Sequence, residues 1–205
     1  MIDPLLTLRE EASPILGRPL TDQEGESFRK YLNLLVKWQR VQRLIGSTDP
    51  AWIVDNLFLD SLLFLRVLPE GFRSLMDLGS GAGVPGIPIK IVRSDAEVTL
   101  VESRRRRASF LSSAVRELGL AGVQVLNARA EGLVGKLEKR FDAVVIRCAG
   151  DYGELVSVAR QLLGPRGVIV AAGPPAARPL SAGCWVTVPG VKPGTVRRFA
   201  VVSIS

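Results

Sequence analysis

Residues 74–89 read Ser-Leu-Met-Asp-Leu-Gly-Ser-Gly-Ala-Gly-Val-Pro-Gly-Ile-Pro-Ile, and this stretch decides the fold. The mostly apolar run at 75–78 is typical of a short buried strand. Pro85 favours the first turn of a helix. Between strand and helix, glycines that allow a tight turn stand at alternate positions: Gly79, Gly81 and Gly83. The stretch therefore predicts a strand, a glycine loop and a helix start.

This glycine loop is suited to a nucleotide-like ligand, because backbone N–H groups near a helix N-terminus can approach it closely. The spacing is Gly-x-Gly-x-Gly, whereas dinucleotide folds carry Gly-x-Gly-x-x-Gly. Asp77 stands two residues before the first glycine. A carboxylate there repels a pyrophosphate and suits a cation such as S-adenosylmethionine, which carries a sulfonium and an α-ammonium group. We therefore predict an S-adenosylmethionine-dependent methyltransferase.

A second acid, Glu102, ends the next apolar run about 20 residues after the loop, where a carboxylate can accept both ribose hydroxyls. A dehydrogenase would also place an acid at this position, so Asp77 is the residue that separates the two classes. We predict that Asp77, the loop residues and Glu102 bind the cofactor, the loop residues being Gly79, Ser80, Gly81, Gly83 and Val84.

From residue 74 onward, strand and helix patterns alternate, as in a parallel sheet wrapped by helices. The predicted strands are 74–78, 97–102, 123–127, 141–146 and 167–172. The predicted helices are 85–93, 104–118, 131–138 and 152–163. Two last apolar strands, 184–188 and 199–204, indicate an antiparallel hairpin at the sheet edge. The expected fold is a class I, Rossmann-like α/β methyltransferase with a seven-stranded, mostly parallel sheet.

The first 70 residues follow a different, helical pattern. Thr21 and Glu24 match a capping box before an amphipathic run, and Asp49-Pro50 is a favourable start for a second helix. We predict a helical N-terminal cap over 1–70 and a methyltransferase domain over 71–205.

Composition narrows the class of protein. The 205 residues include no histidine and two cysteines, so histidine acid–base chemistry is excluded and no metal site is predicted. Residues 1–70 carry 8 basic and 10 acidic side chains, net −2, whereas residues 71–205 carry 19 and 10, net +9. Positive charge around the cofactor loop favours a polyanionic partner such as nucleic acid. No membrane-spanning run or leader pattern is apparent, so we expect a cytoplasmic protein.

Further candidates follow the third and fourth strands. Ala130 and Glu131 could read the adenine edge, although an acid at 131 also favours a helix start. Arg147 faces the expected position of methyl transfer and is our candidate catalytic residue; the alternative is a structural ion pair or a solvated charge. Cys148 lacks the preceding proline of cytosine-C5 methyltransferases and reads as a small buried thiol.

The run Arg104, Arg105, Arg106 and Arg107 opens a predicted helix, where like positive charges oppose the helix dipole. This unfavourable interaction could be offset by RNA phosphate, by Glu102 or by solvation of the side chains. With Arg197 and Arg198, these arginines are our predicted RNA-binding residues. An Asn/Asp-Pro-Pro-Tyr tetrad is absent, which favours an acceptor such as guanine N7 that needs no general base.

The chain also resembles a known family. The residues that carry the resemblance are Trp38 with Arg43-Leu44-Ile45, Leu59-Asp60-Ser61, Asp77 to Pro88, Glu102-Ser103 with Arg106-Arg107 and Phe110-Leu111, Arg129-Ala130-Glu131, and Arg147. Together they resemble the RsmG family, also called GidB, of bacterial methyltransferases that modify guanine N7 in 16S ribosomal RNA. The resemblance covers nearly the whole chain.

The resemblance implies cofactor contacts from Gly79, Val84, Ala130, Glu131 and Arg147, with RNA approaching over the basic face. It implies 16S ribosomal RNA or the small ribosomal subunit as partner, and we expect a monomer. The family pattern differs at three places, where this chain has Leu57, Ile146 and Ala172-Gly173. The alternatives are a methyltransferase acting on another RNA or a small molecule, and a catalytically weak, RNA-associated S-adenosylmethionine-binding protein.

Overall fold

The computed structural model describes residues 3–137, 139–147, 151–174 and 179–204. Its first two helices are α1 (Pro4–Leu16) and α2 (Asp22–Gln39). The predicted capping box of α2 is confirmed, since the Thr21 hydroxyl and the Glu24 carboxylate each accept the other's backbone N–H. Helix α1 was missed in the sequence, although Asp3 caps it and Gly17 ends it in a left-handed conformation.

The next helical segment, which we call α3, changes its winding along its length. It begins as an α-helix over Pro50–Ile53, widens to a π-helix over Val54–Leu59, and continues through Asp60–Leu62 to a 3-10 turn at Leu63–Arg66. The Asp49 carboxylate caps it by accepting from the N–H groups of Ala51 and Trp52. The predicted start after Asp49 is confirmed, and the wide π turn adds one residue before the polar Asp60.

In the described part of the chain, seven strands form one sheet in the order β3-β2-β1-β4-β5-β7-β6. The strands are β1 (Ser74–Leu78), β2 (Glu97–Val101), β3 (Val123–Leu126), β4 (Phe141–Ile146), β5 (Leu163–Ala172), β6 (Cys184–Pro189) and β7 (Val196–Ser203). The helices between them are α4 (Gly86–Val92), α5 (Arg105–Glu117) and α6 (Tyr152–Leu162). Strands β1 to β5 pair in parallel, and β7 pairs antiparallel with β5 and β6. The predicted sheet with its antiparallel edge hairpin is confirmed.

One predicted helix is wrong. In place of a helix over 131–138, the described residues form a 3-10 turn at Ala130–Leu133 followed by turns. Gly132 and Gly135 explain the difference, since glycine weakens a helix and Gly135 has a φ of 84°. Strand β5 is also longer than predicted, because it begins at Leu163.

Two apolar clusters flank the sheet. One face packs against α1, α2, α3, α4 and α5 and buries Phe28, Phe58 and Phe110; the other packs against α6 and buries Val144 and Leu162. The N-terminal helices share the first cluster, in which α2 contacts both α4 and α5. The division at residue 70 stays a prediction. Within the described ranges, every helix is too short or too polar to cross a membrane.

Candidate active site

The candidate site lies at the carboxyl edge of the sheet, where β1 has β2 on one side and β4 on the other. The strand order reverses between β1 and β4, because β2 and β3 are added on one side of β1 and β4 and β5 on the other. Such switch points leave a crevice beyond the strand ends. Leu78, the last residue of β1, is in register with Val101 and Ile146. The residues that follow, Gly79, Glu102 and Arg147, therefore emerge side by side.

The glycine loop is held to β2 by backbone hydrogen bonds. Gly79 N and Ser80 N both donate to Val101 O at 2.9 Å, and Gly83 N donates to Ser80 O at 2.6 Å. Positive φ angles of 75°, 57° and 87° at Gly79, Gly81 and Gly83 explain the alternate glycines, since other residues are strained there. The loop is thus a tight turn with one strongly preferred shape.

Asp77 lies beneath this loop and is fully buried. Its Oδ2 accepts from Gly86 N at 2.9 Å, whereas Oδ1 has no hydrogen-bond partner among the described residues. Burial raises the carboxyl pKa to about 7, opposed by the Gly86 N–H, Ser80 and the positive charge of Arg147. A buried carboxylate with one free oxygen fits a cationic ligand above it.

Glu102 is also buried and ties three elements together. Its Oε2 accepts from Gly81 N at 3.0 Å, and its Oε1 accepts from Arg104 N at 2.7 Å. Asn127, which follows β3, donates to the carbonyls of Glu102 and Ser103. The carboxylate therefore stands at the loop with a fixed orientation, and its predicted ribose contact stays a prediction.

A cavity of about 200 Å³ adjoins the loop on the β2–β3 side. It brings together the predicted Gly79, Ala130 and Glu131, of which Ala130 is half-buried and Glu131 exposed. The other lining residues, to which the sequence analysis assigned no role, are Val101, Ser103, Ala128, Arg129 and Leu155. Val101 ends β2, and Ser103, Ala128 and Arg129 lie within three residues of the end of β2 or β3, which is a signal that could have identified them. Val84 is half-buried at the end of the loop.

Arg147 lies on the other side of the loop, in contact with α3. Its guanidinium donates to Asn56 O at 2.5 Å and to Ser61 Oγ at 3.4 Å, and lies 3.3 Å from Asp60 Oδ2. The side chain is 13% exposed. Arg147 is therefore oriented by a structural ion pair while standing at the strand end where its role was predicted.

Asp60 pairs with a second arginine from the far hairpin. Arg197 Nε lies 2.9 Å from Asp60 Oδ1, an ion pair by distance although this N–H has no hydrogen-bond acceptor among the described residues. Arg197 Nη1 also donates to Gly173 O at 2.8 Å. The guanidinium of this predicted RNA-binding residue thus faces Asp60. Asp60 itself was quoted only within a motif, and its bridging position depends on tertiary contacts.

Tyr31 of α2 is a further residue that the sequence analysis placed only in the core. Its hydroxyl donates to Ala82 O in the glycine loop at 2.5 Å, and its ring stacks on Phe58 of α3. Burial raises the pKa of the Tyr31 hydroxyl, so it stays protonated and can donate. The N-terminal helices therefore brace the cofactor loop directly.

The remaining predicted residues are distributed over the surface. Arg104, Arg105 and Arg106 are exposed, and Arg107 is half-buried near Gly81, where a Cβ would lie 3.6 Å from its guanidinium. Arg198 is half-buried in β7. Cys148 lies outside the described residues, and the Cys184 thiol is free and exposed. The described residues include no cluster suited to a metal ion.

The three positions that differ from the family pattern are structural. Leu57 is buried in α3, where its carbonyl accepts from the Ser61 hydroxyl. Ile146 is buried at the end of β4. Gly173 donates to Arg198 O and packs so closely on Trp185 that an added Cβ would lie 2.3 Å from the ring.

Solved structures share this fold. A SAM-dependent methyltransferase from Aquifex aeolicus matches with a TM-score of 0.54 and 16% identity, covering 77% of this chain and 94% of that one. TYW2 from Pyrococcus horikoshii, solved in complex with MeSAdo, matches with a TM-score of 0.57 and 14% identity over 80% and 64%. At such identities the likeness establishes the fold alone.

Sequence relatives are closer. The ribosomal RNA small subunit methyltransferase G of Chromobacterium violaceum is 37% identical over 76% of this chain and 73% of its own length. Its namesakes from Syntrophus aciditrophicus and Desulforamulus reducens are 36% and 37% identical, over 80% and 72% of this chain and 69% and 62% of theirs. The profile of the family described as GidB, rRNA small subunit methyltransferase G, matches residues 24–173. The chain therefore belongs to the rRNA small subunit methyltransferase G family.

Proposed function

We propose that this protein is an S-adenosylmethionine-dependent methyltransferase that acts on N7 of a guanine in 16S ribosomal RNA. Family membership supports the class of substrate. The observation that carries the cofactor is Asp77, whose buried Oδ1 has no partner among the described residues directly beneath the glycine loop. A negative charge there attracts a sulfonium or ammonium and disfavours a pyrophosphate.

In this proposal Asp77 and the loop residues Gly79, Ser80, Gly81, Gly83 and Val84 hold the methionine part. Glu102 holds the ribose, while Ala130 and Glu131 bound the adenine cavity. When bound, S-adenosylmethionine supplies an electrophilic methyl group. The chain's contribution is to orient the two reactants, because tightly held loop amides and buried carboxylates lose little freedom on binding.

The acceptor is proposed to be guanine N7 because this chain has no histidine to act as a general base. The N7 lone pair is available at neutral pH, so positioning can provide most of the rate acceleration. Arg147 stands where the acceptor would meet the loop, and its guanidinium is already oriented by Asp60 and α3. We assign it the contact between cofactor and base.

RNA binding is proposed for the basic face around α5. Arg104, Arg105 and Arg106 are exposed beside the loop, and each arginine that neutralises a phosphate releases counterions and strengthens binding at low salt. We further propose that the protein acts as a monomer in the cytoplasm, where ribosomal subunits assemble in bacteria.

The test is transfer of a labelled methyl group from S-adenosylmethionine to small ribosomal subunits and, in parallel, to protein-free 16S RNA, with nuclease mapping of the product. We expect label on guanine N7 of at least one substrate. Label on another base or at another atom would overturn the acceptor. No label on either substrate, with measurable S-adenosylmethionine binding, would favour the catalytically weak binding protein.

A further inference from the structure

A second cavity of about 370 Å³ lies beyond Arg147, between α3 and the β6–β7 hairpin. Its volume is within the range of small-molecule pockets. The residues that line it include Trp52, Asp55, Asn56, Arg147, Lys192 and Arg197. Because β7 runs antiparallel to β5, the hairpin loop at 190–195 reaches the same sheet edge as the glycine loop. The cavity thus adjoins Arg147 at the sheet edge that carries the glycine loop.

The charges around this cavity are paired. Asp60 bridges Arg147 and Arg197, and Lys192 Nζ lies 3.5 Å from Asp55 Oδ2. The three interior side chains are 13% to 21% exposed, whereas Asp55 is 28% and Lys192 is 70% exposed. A lining with paired charges of both signs suits a polar ring that presents donors and acceptors together.

We infer that this cavity receives the acceptor guanine by its Watson–Crick edge, with Asp55 as the residue that selects guanine. The inference rests on the proposed function, whose acceptor atom it places. Guanine N1–H and N2–H2 are adjacent donors, and a carboxylate can accept both. Of the two acidic residues lining the cavity, Asp60 is occupied by two arginines, which leaves Asp55 with one solvent-exposed lysine partner.

This orientation leaves the reactive atom, N7, on the side of the base that faces away from Asp55. N7 lies on the edge of guanine opposite N1 and N2, so a base seated with its Watson–Crick edge on Asp55 directs N7 back toward Arg147. The exposed Lys192 ammonium, beside Asp55, is placed to donate to O6. Trp52 is half-buried in the same wall and offers a ring for stacking.

Comparing guanine with adenine and hypoxanthine tests this arrangement. Adenine presents an acceptor at N1 and leaves Asp55 facing a lone pair, while hypoxanthine retains N1–H and lacks the exocyclic amine. We therefore expect the affinity order guanosine, inosine and adenosine monophosphate, with roughly tenfold between the first two, as for one hydrogen bond to a charged acceptor.

The experiment titrates these three monophosphates into the ligand-free protein and follows the indole N–H signals of the three tryptophans by NMR. Trp52→Phe assigns the Trp52 signal. We expect guanosine monophosphate to shift that signal and Asp55→Asn to abolish its preference over inosine monophosphate. Asp22→Asn, which also breaks one surface ion pair, should leave the preference unchanged.

Two results would overturn the inference: no guanosine-dependent shift at Trp52 up to the solubility limit, or a preference unaffected by Asp55→Asn. Neither result would affect the proposed function, because methyl transfer to ribosomal subunits is measured separately. If methyl transfer fails while Asp55-dependent guanine binding is found, the cavity assignment stands and the proposed reaction fails.

Discussion

The two sides of the candidate site are held by different kinds of contact: mainly backbone N–H groups on the cofactor side, and side chains on the Arg147 side. On the cofactor side, Asp77 and Glu102 make their contacts mainly with backbone N–H groups of the same 28-residue stretch, Asp77 to Arg104. On the Arg147 side, Asp60, Arg147 and Arg197 meet through side chains that are up to 137 positions apart. A site formed by local backbone shape can be recognised as a sequence motif, whereas a site formed by distant side chains cannot.

The substitution with the largest expected effect is Arg147→Ala, which should affect one side of the site and leave the other nearly unchanged. If Arg147 holds its proposed place between cofactor and base, losing this oriented donor should lower methyl transfer roughly 100- to 1,000-fold, while S-adenosylmethionine affinity and RNA binding change only modestly. Labelled-methyl assays with parallel binding titrations measure this. Arg140→Ala, at the opposite end of β4 and exposed, is the control. Unchanged transfer in Arg147→Ala would show that the arginine is only a structural partner of Asp60.

Gly83→Ala tests the cofactor side. An added Cβ would lie 2.5 Å from Ile87 Cδ1 and 2.9 Å from the Tyr31 hydroxyl, at a φ of 87°. Overpacking and a left-handed alanine together should lower the free energy of unfolding by about 2–4 kcal/mol, with loss of cofactor affinity. Urea denaturation measures the first effect. Gly132→Ala, with open space and no positive φ, should be near neutral, and equal losses in both variants would contradict the tight-loop interpretation.

Tyr31→Phe asks whether the N-terminal helices stabilise the loop. The change keeps the ring and removes the hydrogen bond to Ala82 O, so we expect about tenfold weaker S-adenosylmethionine binding, the scale of one buried hydrogen bond. Tyr152→Phe is a matched control, since the Tyr152 hydroxyl also donates to a carbonyl, that of Ala182 at 2.9 Å. Calorimetric titration should show weaker binding in the first variant only. Similar affinities in both variants would show that the Tyr31 hydrogen bond does not affect cofactor binding.

The smallest expected effect is the pH dependence from Asp77, whose pKa is raised by burial to about 7. The native state holds this proton up to higher pH than the unfolded chain does, so the group's contribution to stability is lost as pH rises through 7. The ionised form attracts a cation, so S-adenosylmethionine affinity should rise by up to about tenfold between pH 6 and 8.

Asp77→Asn provides the control for this titration, because it keeps a side-chain acceptor for Gly86 N without the charge. The difference between wild type and variant also cancels the titration of the ligand's own amino group. Parallel pH profiles in the two proteins would exclude Asp77 as the titrating group.

Much of the cofactor side could be predicted from the sequence. The alternate glycines require positive φ angles, and Asp77 and Glu102 stand at fixed offsets from a strand end, so their places follow from local chain geometry. The predicted helix over 131–138 failed for a local reason as well, since Gly132 and Gly135 weaken it. The cofactor and RNA contacts of individual residues stay predictions.

The sequence by itself determined the α/β alternation, the antiparallel edge hairpin, the glycine loop and the family. Only the tertiary structure decided that Asp60 joins Arg147 to Arg197, that Tyr31 reaches Ala82, and that Asp55 and Lys192 face one cavity. Backbone conformation is set by a few neighbouring residues, so it corresponds to a recognisable residue pattern in the sequence. Contacts between distant side chains depend on how whole elements pack, so no short stretch of this chain encodes them.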